Sequence, residues 1–175
     1  MIDSFWKKAT EFHGHACPGL AIGVRAREFV VNNPEFAKLP YGVLHCVTEN
    51  DACGVDAIQC ILGCSFGKGN LSIRRTAKHA YSFFDTANNH AVRICLKLRK
   101  KPDISREDWQ QSLLSAPLDD VFTVSTPSYS PPDKPKIFSN IYCDRCGEGV
   151  AEHCIRLSEG QRLCLDCWES YGRGW

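Results

Sequence analysis

The sequence lacks a strong charge of either sign. Its 21 Lys and Arg nearly balance 20 Asp and Glu, leaving a formal net charge of +1. That balance argues against a protein whose main partner is a nucleic-acid backbone, which calls for a basic excess. A local basic patch stays open. The sequence also lacks any apolar run near the ~20 residues that span a bilayer. Its opening, Met1-Ile2-Asp3-Ser4-Phe5-Trp6-Lys7-Lys8, has no basic segment followed by an apolar stretch, so no secretory signal is expected. There is no internal repeat. These absences point to a cytoplasmic protein with reduced thiols and no membrane partner.

What the sequence has in excess is cysteine, eleven in 175 residues. Disulfide scaffolds are usually shorter and exported. Reduced thiols in this number serve as metal ligands, as reactive groups or as small buried hydrophobes. A hydrophobic fraction of 43% is ordinary for a chain that buries a core. The length allows one domain and a small appendage.

Hydrophobic spacing predicts helices over 3–12, 18–31, 52–64 and 105–115. Asp3 or Ser4 is placed to cap the first. Pro18 suits the first turn of the second, and Asn32-Asn33-Pro34 ends it. Ser105 and Asp108 form a capping box for the last. Alternating β-rich runs predict strands over 42–48, 71–75, 80–84 and 91–98. The alternation is too irregular for a doubly wound sheet, so the expected class is α+β with a mixed sheet. Residues 123–136 carry four prolines among serines and read as a semi-rigid linker. The expected organisation is a core domain over 1–122, a linker over 123–136 and a small module over 137–175.

That module contains Cys143-x2-Cys146 and, after 17 intervening residues, Cys164-x2-Cys167. Paired cysteines at this spacing bind structural zinc in a closed tetrahedron of four thiolates. Strands over 151–157 and 161–163, turning at Glu159-Gly160, and a helix over Leu165 to Tyr171 would complete a treble clef. Cys154 or His153 could replace one ligand. Some 40 residues bury too little apolar surface alone, so the metal is expected to fold the module.

The N-terminal region carries His13-Gly14-His15-Ala16-Cys17-Pro18-Gly19. Pro18 disfavours helix at Cys17, which should sit extended just before the second helix, its sulfur near a helix N-terminus. Two imidazoles and a thiol within five residues form part of a metal shell. Surface histidines beside a buried cysteine are the competing reading. On the third helix, at ~100° per residue, Cys53, Asp56, Cys60 and Cys64 share an arc of about 80°. Val55, Ile58, Ile61 and Leu62 lie on another. A second buried face would explain the same segregation. Next, Gly63-Cys64-Ser65-Phe66-Gly67-Lys68-Gly69-Asn70 can present amides and Lys68 to an anion, or simply turn the chain. Its spacing differs from a Walker A loop, which argues against a nucleoside triphosphatase. Arg74-Arg75 and Arg99-Lys100-Lys101 read as solvated surface. Trp6 and Trp109 read as core anchors.

His-Gly-His-x-Cys-Pro-Gly, Glu-Asn-Asp-x-Cys, Gly-Cys-Ser-Phe-Gly-Lys-Gly-Asn and the four-cysteine finger, in this order, resemble the FmdE family over nearly the whole chain. That family takes its name from a component of formylmethanofuran dehydrogenase. The resemblance implies an α+β core, an auxiliary treble-clef zinc finger and a homodimer. It implies a site lined by His15, Cys17 and Cys53 in the catalytic role. It places His13 and Cys64 nearby; on the residues' own chemistry, Asp56 would orient a ligand or move a proton and Lys68 would hold an anionic group, so His13, Asp56, Cys64 and Lys68 form the expected cofactor- or substrate-holding set. The named enzyme is a molybdenum or tungsten pterin complex of methanogenesis that reduces carbon dioxide, with pterin and iron–sulfur chemistry on its other components. No four-cysteine ferredoxin run is present here. The implied function is a metal-binding accessory or subunit of such a redox enzyme, with zinc in the finger and a second metal ion in the core. The alternative is a metal carrier or regulator that meets its partner through the finger.

Overall fold

The computed structural model describes residues 2–37, 39, 42–133 and 135–173, and the side chains from Ser4 onward. The Asp3 side chain, and with it the expected cap, and the last two residues of the expected module therefore lie outside what is described. Two compact units divide at Asp133 and Lys134.

Unit one begins with α1 (Ile2–His13), so Ser4 lies inside the helix rather than at its cap. Helix α2 (Pro18–Asn32) follows, with proline in its first turn and an extended Asn33 at its end. Strand β1 (Leu44–Thr48) leads to α3 (Gly54–Ala57), which continues as a π-helical turn over Ile58–Leu62. Strands β2 (Leu71–Ile73), β3 (Ala80–Asp85) and β4 (His90–Leu96) come next, then α4 (Arg106–Ser115), α5 (Leu118–Val121) and β5 (Phe122–Ser125). The sheet order is β2-β1-β3-β4-β5. β1 and β2 run parallel and the other pairs antiparallel, with Cys46 opposite both Leu71 and Phe83. This is the expected mixed α+β sheet.

The core lies where α2 meets the sheet. Ala21, Ile22, Ala26 and Val30 pack with Leu44, Cys46, Tyr81, Phe83, Ile94 and Phe122. Burial on this scale supplies the main stabilisation, about 1.5–3 kcal/mol for each large aliphatic or aromatic side chain. Helix α2 touches α3 through glycines: a Cβ on Gly23 would collide with the Gly54 carbonyl oxygen. On its other flank, buried Arg25 donates to the Leu114 and Ala116 carbonyls at 2.8 and 2.5 Å, closing the C-terminal end of α4. At the other end of α4, Ser105 Oγ accepts the Asp108 N–H at 2.9 Å, as the capping box required. Glu49, 1% exposed, follows β1 and accepts Arg93 Nε at 2.6 Å, Arg93 Nη2 at 3.1 Å and Thr76 Oγ1 at 2.8 Å.

The linker begins later than its composition suggested. Residues 123–125 pair with β4, and the Tyr129 hydroxyl donates to Ser82 Oγ at 2.8 Å while its ring lies 6.0 Å from Phe84. Proline and serine content gives no weight to one aromatic side chain docking on a sheet.

Unit two consists of two hairpins. β6 (Asn140–Tyr142) pairs with β7 (Gly149–Ala151) around the first cysteine pair. β8 (Arg156–Ser158) pairs with β9 (Gln161–Leu163), which leads into the second. Their turn, Glu159-Gly160, has φ of 50° and 78°, the left-handed pair that tight hairpins use. The strand expected over 151–157 is interrupted by a 3₁₀ turn at Glu152–Cys154. The helix expected over Leu165–Tyr171 is absent: Leu165–Cys167 form a turn, and no regular element follows among the described residues. The Cys167 and Trp168 amides both bond the Cys164 carbonyl; those bonds close the second Cys-x2-Cys turn rather than continue into a helix.

Candidate metal centres

Two groups of metal-ligating side chains stand out among the described residues, one in each unit.

In unit two the sulfurs of Cys143, Cys146, Cys164 and Cys167 lie within 4.8 Å of one another. Each knuckle is held by backbone. Gly147 N–H bonds the Cys143 carbonyl at 2.9 Å, and Cys164 N–H points at Cys143 Sγ at 3.3 Å. Asp144 and Arg162 tie the two knuckles together through 2.7 Å contacts. Four thiols this close cannot all ionise without a cation. Amide hydrogen bonds from Cys146 and Cys164 lower Cys143 to about 6, whereas the hydrogen bond with Cys164, burial and the other sulfurs push Cys167 up to about 12. The donor set fits a metal ion. Neither alternative ligand joins it: His153 stacks on Phe138 at 3.9 Å, and Cys154 is half-buried outside the cluster.

In unit one the turn after α1 builds the second group. Gly14 has φ of +85°, a left-handed residue that stops α1 and folds His15 back beside His13. The two imidazole rings lie 4.4 Å apart. Cys17 is the extended N-cap of α2, as Pro18 dictated, and its sulfur accepts the Leu20 N–H at 3.4 Å. One ligand atom from each of His13, His15 and Cys17 falls within 4.8 Å of the others. The Asp56 carboxylate meets His13 Nδ1 at 2.7 Å, which leaves His13 Nε2 facing Cys17 Sγ at 3.8 Å. A carboxylate behind a histidine is the arrangement that fixes ring orientation at metal sites.

Cys53 is the N-cap residue of α3 and packs against the cluster of Ala9, Cys17, Leu20 and Val24. Burial, hydrogen bonding with Cys17 and the neighbouring charges raise its thiol. His13, Cys53 and Asp56 form walls of a cavity of about 390 Å³, with Asn50, Asp51 and Gln59 as further polar lining and Phe66 as an aromatic face. Sequence reasoning gave Asn50 no role of its own. Its Oδ1 accepts the Ala52 N–H at 3.0 Å and its Nδ2 donates to the Lys78 carbonyl at 2.7 Å, setting the turn that delivers Cys53. The signal was the Glu-Asn-Asp run after a strand, since asparagine caps its own backbone two residues on.

The thiol arc does not survive intact. Cys60 Sγ bonds back to the Ala57 carbonyl at 3.8 Å. Cys64 is absent from the cavity walls. It is fully buried in the main core with its sulfur on the Leu44 carbonyl at 3.6 Å, and burial pushes its thiol up to about 12. The projection assumed 3.6 residues per turn, but residues 58–62 take a wider π turn, and left-handed Gly63 then reverses the chain. Lys68 Nζ donates to the Gly63 carbonyl at 2.7 Å, so it closes its own loop at the end of that turn. No helix among the described residues is long and apolar enough to cross a membrane.

Fold and site together define an α+β protein with two metal-ligating clusters, one of four thiols and one of two imidazoles and a thiol. The chain matches the family model described as FmdE, molybdenum formylmethanofuran dehydrogenase operon, over residues 12–123. It belongs to the FmdE family. A probable S-adenosyl-L-methionine-binding protein of Archaeoglobus fulgidus is 28% identical over 204 aligned residues, which cover 95% of this chain and 54% of that protein. The chain thus spans about half the length of that relative. A crystal structure of a tungsten formylmethanofuran dehydrogenase FmdE-like protein from Syntrophus aciditrophicus is 24% identical. It superposes with a TM-score of 0.70 over 95% of this chain and 91% of that one, a likeness of fold.

Proposed function

We propose that the core unit holds one divalent transition-metal ion on His13 Nε2, His15 and Cys17, and that this centre serves a redox enzyme of the formylmethanofuran dehydrogenase type as an accessory protein or subunit. The observation that carries the reading is the convergence of those three ligand atoms within 4.8 Å, with Asp56 braced behind His13. Two imidazoles and a thiolate suit zinc or another borderline-soft ion, and three protein ligands leave a position open for chemistry. When bound, such an ion supplies Lewis acidity at that position. The chain's own residues do the rest. Asp56 fixes the His13 tautomer, and Asn50, Gln59 and Phe66 shape the neighbouring cavity. The finger takes a structural zinc in a closed shell. The protein works in the cytoplasm as a homodimer, and the pterin chemistry lies with partner subunits.

Metal stoichiometry on the full chain tests this. The parent should hold two equivalents by native mass spectrometry and elemental analysis, and Cys17→Ala and His15→Ala one each. A single equivalent in all three chains rules out the core centre.

The second reading is a metal carrier or regulator that meets its partner through the finger. It is favoured by the exposed apolar side chains of Tyr142 (65%), Leu157 (78%) and Leu165 (49%). A Leu157→Asp chain that keeps its metals and still restores function to a strain lacking the protein would exclude it.

A further inference from the structure

Two thiols with different access meet at the crossing of α2 and α3, and only one of them belongs to the proposed ligand set. Cys17 caps α2 and Cys53 caps α3. The helices approach so closely that a Cβ on Gly19 would lie 3.2 Å from Cys53 Cβ and 3.6 Å from its sulfur. Glycine at 19 therefore lets the first turn of α2, which carries Cys17, lie directly on Cys53. Both cysteines pack in one small cluster. Cys17 is 1% exposed, while Cys53 lines the cavity. The remaining core thiols are engaged elsewhere. Cys60 bonds the Ala57 carbonyl, half-buried Cys95 on β4 bonds the Leu96 carbonyl at 3.9 Å, and Cys46 and Cys64 are fully buried in the main core.

We propose that Cys53 and Cys17 form a reversible disulfide under oxidising conditions, and that this bond removes Cys17 from the core metal centre and releases its ion. The inference rests on the metal reading above and adds regulation to the same site. The oxidant is hydrogen peroxide or another small peroxide. It reaches Cys53 first, because the cavity exposes that sulfur. The sulfur takes one peroxide oxygen to become a sulfenic acid and one water leaves. The Cys17 thiolate then attacks Cys53 sulfur, giving up its bond to the ion as the Cys53 S–O bond breaks, and the departing hydroxide takes a proton from solvent as a second water. In sum, one thiol, one thiolate, one peroxide and one solvent proton give one disulfide and two waters, with the ion released. Loss of Cys17 leaves His13 and His15 alone, too few ligands to retain an ion against competition. A dithiol reductant reverses the bond by exchange.

The test uses the full chain loaded with zinc. Hydrogen peroxide is titrated in, followed by non-reducing peptide mapping and native mass spectrometry. The expected result is a linked peptide joining Cys17 to Cys53, formed together with loss of one zinc, both restored by dithiothreitol and fresh zinc. Cys53→Ser should keep its core zinc at the dose that empties the parent, and Cys60→Ser should behave as the parent does. Peptide mapping separates oxidation in the finger from oxidation in the core. If the parent never holds a second zinc, the metal reading fails and the switch falls with it. If the second zinc is present but Cys53 goes only to sulfinic acid, or Cys17 pairs elsewhere, the metal reading stands and the switch is overturned. A linked peptide that leaves both zinc ions bound overturns it equally.

Discussion

The four-thiol group and the N-terminal group present similar ligand atoms within the same 4.8 Å reach, yet they are set in very different surroundings. The finger has four thiols on two knuckles, short hairpins and a core of little more than Cys143, Leu163 and Cys164 with Val150 and Trp168. Its ligands are also its fold. The N-terminal group has three candidate ligands at the α1–α2 turn, one of them braced from α3 by Asp56, in a unit whose main core of α2 and sheet residues is separate from them. A closed shell on a small scaffold provides structure. On the proposed reading, an incomplete shell on a large scaffold, beside a cavity, would leave a position for chemistry.

The largest expected effect tests that contrast directly. Cys164→Ser removes a ligand from the finger, where binding of a structural zinc is worth on the order of 10–16 kcal/mol in isolated fingers. Amide hydrogen exchange should show protection lost across unit two and retained across unit one. A finger that stays protected without its ion would erase the distinction. The core should instead depend on its own buried polar contacts. Glu49→Gln breaks a buried pair and should cost about 4 kcal/mol in urea unfolding of unit one, with the finger's metal untouched. Its pH dependence has a definite sign. Hydrogen bonds from Arg93 hold the Glu49 carboxyl below its ordinary 4.5 against the cost of burial. A carboxyl lowered on folding contributes stability in full above 4.5, and loses it as pH falls below 4.5 through the folded value. The variant should flatten that acid limb of the stability curve.

A smaller effect sharpens the comparison at the centre itself. Asp56→Asn keeps the shape and removes the charge behind His13. It should weaken core metal affinity about 10–100-fold in a competitive chelator titration and leave the finger's affinity unchanged. Equal weakening at both sites would mean that Asp56 acts on something other than His13. Smallest is Ser105→Ala, which removes the α4 cap and should cost about 1 kcal/mol of unit-one stability without altering either metal content.

Much of the site was legible because its determinants are local. Pro18 forced an extended Cys17, the His-x-His spacing put two imidazoles on one turn, and two Cys-x2-Cys pairs named the finger's ligands. Asp56 was singled out by helical phase, but its partner was not, since His13 lies 43 residues away. The same helical phase puts Cys64 beside Asp56, whereas in the structure Cys64 is sealed in the main core. That phase extrapolates an α-helical angle through a stretch that the structure widens into a π turn. The late start of the linker was also hidden, because Tyr129 acquires its meaning only when Ser82 and Phe84 are beside it.

The sequence by itself determined which atoms could bind metal, the order of most elements and the family. Each of these is carried by neighbours along the chain or by spacing within one turn. Only the tertiary structure decided which thiols face the cavity and which are sealed, and that α3 would bring a carboxylate and a second sulfur to the histidine turn. Those outcomes depend on how closely α2 and α3 pack at Gly19, Gly23 and Gly54, a contact between distant segments that no local pattern encodes.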